Sequence, residues 1–256
     1  MKKIVIIIAI FVLALFTTNA QDAREIAIKS GNAINPESME MSATLNIHDG
    51  RGNIRTRQIA NATKRFGETV KTLIRFVAPP DVSGTTMLIH DYENRGDDMW
   101  IYLPAMRNTR RIVSSERGRS FMGTEFSNAD MTKPNHDDFH YKLLGSETIN
   151  GKECWKIEAE SKNAEVEQEN GFAKRIAYID KQDFLSYKVE YYDKADKMFK
   201  VMTVSDYREI APGLFFAFYM EMENLNNGRR SEIIIEQFQL GSKLNERDFS
   251  VASLGE

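Results

Sequence analysis

The sequence contains a single cysteine, Cys154, among its 256 residues. An intramolecular disulfide is therefore excluded, and the fold must be held together by its apolar core. Cys154 lies in a strand-like run in which Trp155, Ile157 and Ala159 share one face. Because side chains alternate along a strand, we expect Cys154 on the opposite face, as a structural thiol rather than a reactive one.

The sequence also lacks an excess of positive charge, since it has 34 Lys and Arg residues and 37 Asp and Glu residues. Nucleic-acid binding needs a strongly basic surface, so nucleic acid is not an expected partner. The chain also lacks a glycine-rich phosphate loop, a nucleophile elbow and a His-Glu-x-x-His motif. We therefore expect neither an enzyme nor a bound cofactor, and we assign no catalytic residues.

Metal-ligand residue types are concentrated at one place, the run His136-Asp137-Asp138-Phe139-His140. A metal site needs such groups to converge on one point. In a strand the two histidines would share a face but stand about 13 Å apart. We therefore expect a polar turn that leads into a strand, and no metal site.

Only one long apolar run occurs, Ile4 to Phe16, and it is short for a membrane span. Lys2 and Lys3 precede it, and the small residues Thr18-Asn19-Ala20 follow it. This order predicts a cleavable signal peptide over residues 1–20, with cleavage before Gln21 and a mature protein in the periplasm. An uncleaved N-terminal anchor is the alternative.

The remainder, residues 21–256, is expected to form a single domain. Apolar residues at helical spacing predict a helix from Asp22 to about Ile34. Beyond it, strict alternation from Met39 to Ile47 predicts a strand, and the Asn150-Gly151 dipeptide predicts a tight hairpin. About eleven strands joined mostly by short turns indicate one curved antiparallel sheet or barrel.

The segment from Ser114 to Asn135 interrupts the succession of strands. It is rich in Ser, Gly, Arg and Asn, yet it also carries Phe121, Met122 and Phe126. Because these apolar side chains need a place to be buried, we expect a loop or short helix packed over the sheet.

Three segments resemble the motif blocks of the outer-membrane lipoprotein-sorting protein family, relatives of the periplasmic lipoprotein carrier LolA and its receptor LolB. They are Phe76 to Thr85, Asp98 to Pro104 and Ser120 to Asp130, and they occur in the order expected for the family. The resemblance implies a mainly β (α+β) fold, a half-open antiparallel β-barrel of about eleven strands. Helices and loops cover its concave face, which holds acyl chains.

On that fold the Ser114 to Asn135 segment becomes a candidate lid or plug. Trp100 and Tyr102, two residues apart, share one face of a strand that would line the cavity. The cavity candidates are Leu45, Ile47, Ile74, Phe76, Trp100, Tyr102, Phe121, Met122, Phe126, Phe216 and Phe218. An ordinary packed core is the alternative for any one of them.

The resemblance implies a periplasmic carrier that binds acyl chains of a lipoprotein or another lipid for transfer toward the outer membrane. Its expected partners are an inner-membrane transporter and an outer-membrane acceptor. An alternative function is a lipid-sensing adaptor of the same fold that works with a membrane protein such as an exporter of the resistance-nodulation-division type. A hydrolase acting on envelope material is a third, for which the sequence offers no catalytic arrangement.

Overall fold

The structure is a computed structural model that describes residues 22–93 and 95–255. The predicted signal peptide lies outside the described residues. Within these ranges, no helix is both long enough and apolar enough to cross a lipid bilayer.

Thirteen strands make up most of the described chain. They are β1 (Ser38–His48), β2 (Ile54–Phe66), β3 (Thr69–Ala78), β4 (Thr86–Tyr92), β5 (Asp98–Leu103), β6 (Asn108–Ile112), β7 (Phe139–Ile149), β8 (Lys152–Ser161), β9 (Lys174–Asp180), β10 (Ser186–Tyr192), β11 (Met198–Ala211), β12 (Leu214–Asn224) and β13 (Arg229–Leu240). The helices are α1 (22–33), α2 (Ser114–Arg117) and α3 (Ala164–Asn170), with short 3-10 turns at Pro104–Met106, Ala129–Met131, His136–Asp138, Glu246–Phe249 and Ala252–Gly255.

All thirteen strands pair antiparallel in one sheet of order β6-β5-β4-β3-β2-β1-β13-β12-β11-β10-β9-β8-β7. Its two edges, β6 and β7, are not paired with each other, so the sheet is open along one side. The predicted mainly β, half-open antiparallel fold is confirmed, but the expected count of about eleven strands is too low. The strand predicted at Thr109 to Val113 is present as β6, although its sequence Asn-Thr-Arg-Arg-Ile is short and polar and gives only a weak signal without apolar alternation.

The structure contains the helix and the tight hairpin that short stretches of the sequence predict. The helix predicted from Asp22 is present as α1. Asn150 and Gly151 connect β7 to β8 with φ angles of 50° and 80°, which are the positive values that a two-residue hairpin of this type requires. Both predictions are confirmed.

The sheet has two apolar faces. The inner face, covered by α1 and by the segment between β6 and β7, carries the main core cluster. On the outer face, the C-terminal residues 241–255 pack Phe249 and Leu254 against Ala62 and Leu88. Cys154 is buried on the outer face in a separate cluster with Ile176 and Tyr178, which confirms its predicted face. Burial raises the pKa of its thiol, so it is not activated as a nucleophile.

Candidate functional site

The inner face of the sheet carries apolar side chains from all thirteen strands. Nine of the eleven predicted cavity residues belong to its core cluster, and Met122 is the only one of these nine that is partly exposed. The eight buried residues are Leu45, Ile47, Ile74, Phe76, Phe121, Phe126, Phe216 and Phe218. Six of these nine residues lie in strands, where alternation as strict as that of β1 separates apolar from polar side chains, and three lie in the segment between β6 and β7.

The prediction that Trp100 and Tyr102 line the inner face is wrong. In β5 the inner face is taken by Met99 and Ile101, whereas Trp100 and Tyr102 lie on the outer face against the C-terminal segment. The Trp100 ring makes an edge contact with His90, with ring centroids 5.0 Å apart. Both rows of side chains in β5 are apolar, so alternation alone does not say which row faces inward.

Residues 119–131, called the plug, cover part of the inner face. Phe121 is 1% exposed and Phe126 is 2% exposed. The ring of Phe121 lies 5.8 Å from that of Phe76, centroid to centroid. The plug closes on itself, since the backbone N–H of Phe121 donates to the carbonyl of Phe126 at 2.8 Å. The predicted packing of this segment over the sheet is confirmed.

Glu125 anchors the plug to the sheet, and it is only 9% exposed. Asn224 donates to its Oε2 at 2.9 Å, and Arg229 Nε lies 2.9 Å from its Oε1 as an ion pair. Its backbone N–H donates to Ser231 Oγ at 3.0 Å, and its carbonyl accepts from Lys200 Nζ at 2.7 Å. These four contacts reach β11, β12 and β13, so the plug is an integral part of the fold rather than a loose lid.

Helix α1 covers another part of the inner face and is held more lightly. Ala23 is fully buried, but Ile26 and Ala27 are only partly buried against the core. The helix is joined to the segment before β7 by the exposed ion pair of Arg24 with Asp137, at 2.6 Å. Exposed ion pairs of this kind contribute about 0–1 kcal/mol. Moving helix α1 away from the inner face therefore costs less free energy than moving the plug.

The inner face is partly exposed in the middle of the sheet, where β1 and β12 begin and β13 ends. The rings of Phe216, Phe218 and Phe238 form a cluster in which the Phe216 and Phe238 centroids are 4.8 Å apart. Phe238 and Met41 remain partly exposed. Neither was predicted as a cavity residue. Met41 continues the alternation that identified Leu45, whereas Phe238 reaches the inner face through the bulge that shifts the β1–β13 register, which the sequence does not reveal.

A charged cleft of about 910 Å³ opens beside this face, with α1 as one wall. Arg117 spans it by ion pairs with Asp97 and Glu169, both at 2.7 Å. Burial, with a smaller contribution from the nearby Asp97, raises the pKa of Asp91 to about 6. Burial, aided by the positive charges of Arg175 and Arg24, lowers the pKa of His136 to about 4.

We expect Asp91→Asn to raise the free energy of unfolding by about 2 kcal/mol at pH 8 and by less than about 1 kcal/mol at pH 4.5. The folded state raises the pKa of Asp91, so its contribution to stability is fully present below the unfolded value near 4 and is lost progressively as the pH rises from there through 6. The backbone N–H of Lys133 that stabilises the carboxylate can still donate to the amide oxygen of asparagine. Urea denaturation at the two pH values measures the difference.

Glu93→Gln is the matched control, since Glu93 lines the same cleft but its side chain is 60% exposed. It should be nearly neutral at both pH values. Equal stabilisation by Asp91→Asn at pH 4.5 and pH 8 would contradict the expectation, because a titrating carboxylate cannot produce it.

The histidines of the candidate metal run are separated by the fold. His136 Nδ1 lies 2.8 Å from the hydroxyl of the buried Tyr141, whereas His140 is exposed. Over the described part of the chain, no three His, Cys, Asp or Glu side chains converge as metal ligands. The run begins with the 3-10 turn His136–Asp138 and continues into β7, as expected for a polar turn before a strand.

A second cleft, of about 750 Å³, lies on the outer face. Its floor is formed by small and apolar residues of β2 and β3, such as Ala60, Ala62 and Leu73, and Leu244 of the C-terminal segment borders it. The sequence did not indicate this cleft, because the position of residues 241–255 depends on contacts distant in the chain.

Comparison with solved structures places this fold among known proteins. A domain from Vibrio parahaemolyticus, described as an outer membrane lipoprotein-sorting protein domain, is 26% identical with a TM-score of 0.85, over 93% of this chain and 100% of that one. A DUF1329 family protein from Desulfovibrio piger is 27% identical with a TM-score of 0.84, over 92% and 99%. A LolA superfamily protein from Nitrosomonas europaea, 19% identical, has a TM-score of 0.68 over 90% and 98% and shares the fold.

Among curated proteins, no sequence matches this chain. A family model whose description reads "Uncharacterized protein" matches residues 68–256, which is well over half of the chain. The chain therefore belongs to this DUF1329-like family, and its structural neighbours include outer membrane lipoprotein-sorting and LolA superfamily proteins.

Proposed function

We propose that this protein is a periplasmic carrier that binds acyl chains of a lipoprotein or another lipid on its inner face and moves them toward the outer membrane. The observation that carries the proposal is an apolar inner face that is covered by α1 and the plug rather than by a second sheet. The description of the Vibrio parahaemolyticus domain as a lipoprotein-sorting protein supports the same class of function.

The energetics of such a carrier follow from burial alone. An acyl chain that leaves water for an apolar face gains about 0.8 kcal/mol per methylene group, so retention needs no covalent chemistry. Release then requires a movable cover. Helix α1 suits this role, because its ion pair between Arg24 and Asp137 is exposed and several of its apolar residues are only partly buried.

The proposal also includes a periplasmic location and two membrane partners. The apolar run at residues 4–16, flanked as in a signal peptide, supports export to the periplasm. An inner-membrane transporter would deliver the cargo and an outer-membrane acceptor would receive it. The protein itself would catalyse no reaction.

The first test is mass spectrometry of an organic extract from gently purified mature protein, together with titration of a fluorescent acyl probe on the same sample. A co-purified lipid, or saturable probe binding that free acyl chains displace, supports the carrier. An empty extract without probe binding would reject it, because the inner face would then be filled by its own side chains. The alternative, an adaptor of the same fold that works with a membrane protein, would then be tested by pull-down of that partner.

A point variant locates the binding surface. We expect Phe238→Asp to weaken binding of the acyl probe by roughly 10-fold or more, because it places a charge where the chain would lose water. Phe238 is partly exposed, so the variant should stay folded, which circular dichroism checks. Ile54→Asp is the control, since Ile54 is 56% exposed in β2, and it should leave binding unchanged. Equal binding by both variants would move the site away from the Phe238 cluster.

A further inference from the structure

We propose that the charged cleft binds an anionic head group, a carboxylate or a phosphate, with Arg175 as its main contact. The inference rests on the proposed function and narrows the cargo to an anionic amphiphile whose tail lies along the inner face. The lipid anchor of a lipoprotein, in which the acyl chains hang from a neutral glyceryl thioether, carries no such group.

Arg175 occupies an unusual position for an arginine. It lies on the inner face of β9, opposite Ala159 of β8 and Tyr191 of β10 in the sheet register. Its guanidinium lies 5.6 Å from the ring centroids of both Phe139 and Phe172, which belong to the core cluster. The charge is thus set among aromatic rings at the point where the cleft meets the apolar core.

Within residues 22–93 and 95–255, no carboxylate forms an ion pair with Arg175. Its positive charge opposes the burial that raises the pKa of the neighbouring Tyr141 hydroxyl, and its five N–H donors have no carboxylate partner among the described residues. Arg117 in the same cleft shows the contrast, because two carboxylates satisfy it. A partly buried cation without a counter-ion costs free energy, and a bound anion would offset that cost.

Two further groups of the cleft are neutral or positively charged, so they do not compete with an anion for the guanidinium of Arg175. The Tyr141 hydroxyl bonds to His136 Nδ1 at 2.8 Å, and the lowered pKa of His136 keeps that imidazole neutral. Lys133 provides a second cation in the cleft, and its hydrogen bonds go to the neutral amides of Asn32 and Asn35.

The cleft also holds carboxylates, which would repel an anion if they were unpaired. Asp137 pairs with Arg24, and Asp97 and Glu169 share the single positive charge of Arg117. Asp130 accepts hydrogen bonds from the backbone and hydroxyl of Ser127. These four carboxylates are therefore held by partners other than Arg175, which has no carboxylate partner among the described residues.

The cleft is continuous with the surface proposed to hold the tail. Phe172 and Met202 line it, and both belong to the main core cluster of the inner face or pack against it. Ile28 of α1 lines the opposite wall. An amphiphile could therefore place its head at Arg175 and its chain among the apolar side chains that begin at Phe172 and Met202, and movement of α1 would expose both parts together.

The test compares three fluorescent probes with the same chain on the mature protein: a fatty acid, its methyl ester and a monoacyl glycerol phosphate. Wild-type protein should bind both anionic probes at least 10-fold more tightly than the ester. Arg175→Gln should weaken binding of the anionic probes by roughly 10- to 100-fold and leave the ester unchanged, since hydrogen bonds to a charged group carry the difference. Arg175→Lys should restore part of the affinity.

Arg51→Gln, at the exposed turn after β1, is the control for loss of one positive charge and should bind all three probes as wild type does. A stronger preference for the acid or for the phosphate identifies which anion the cargo carries. Equal wild-type affinity for acid and ester overturns the head-group site but leaves the carrier intact. Failure of all three probes to bind overturns the carrier itself. The wild-type comparison decides the matter even if Arg175→Gln does not fold.

Discussion

Replacing Phe121 with alanine is expected to lower the free energy of unfolding by about 3–5 kcal/mol. The side chain is 1% exposed and packs against Phe76 across a centroid distance of 5.8 Å. The hydrogen bonds that close the plug around it, such as Phe121 N–H to the Phe126 carbonyl, prevent the backbone from collapsing into the space. The cost therefore includes both the lost burial and the cavity that remains. Equilibrium denaturation in guanidinium chloride measures it.

Met122→Ala is the control for this prediction, because Met122 is the next residue of the plug but is only partly buried. It should cost about 1 kcal/mol. If Phe121→Ala costs no more than Met122→Ala and strengthens acyl-probe binding instead, the plug is a movable lid and Phe121 occupies the cargo space in the empty protein.

The sequence predicts the sheet well because its information is local. Alternation from Met39 to Ile47 and the Asn150-Gly151 turn each depend on a few neighbouring residues, and the structure keeps both. The face of β5 could not be predicted in the same way. Met99 and Ile101 are as apolar as Trp100 and Tyr102, so only the C-terminal segment on the outer face decides between the two rows.

The candidate site shows the same limit. Phe216 and Phe218 were predicted because they stand in an aromatic run. The position of Phe238 on the inner face depends on a bulge, and the role proposed for Arg175 depends on its having no ion-pair partner among the described residues. In the sequence, Lys174-Arg175 looks like any pair of solvated charges. That Arg175 lies among Phe139 and Phe172 results from the pairing of β9 with β8 and β10, which no short stretch of sequence encodes.

Glu125→Gln is expected to lower the free energy of unfolding by about 2 kcal/mol. The buried carboxylate compensates Arg229, whose side chain is 35% exposed, and accepts from Asn224 at 2.9 Å. Glutamine keeps the shape but removes the charge, so Arg229 loses its counter-ion. The exposure of Arg229 keeps the cost below the 3–5 kcal/mol typical of a fully buried pair.

Glu223→Gln is the matched control, because Glu223 is an exposed carboxylate next to Asn224 in β12, and it should change stability by less than about 0.5 kcal/mol. Loosening at Glu125 should also speed hydrogen exchange at the amides of Phe121 and Asn128, which donate to carbonyls of the plug, while exchange in β1 stays slow. If the plug amides exchange no faster in Glu125→Gln, the contacts of the Glu125 backbone with Ser231 and Lys200 suffice to hold the plug. Any release of cargo would then depend on α1 alone.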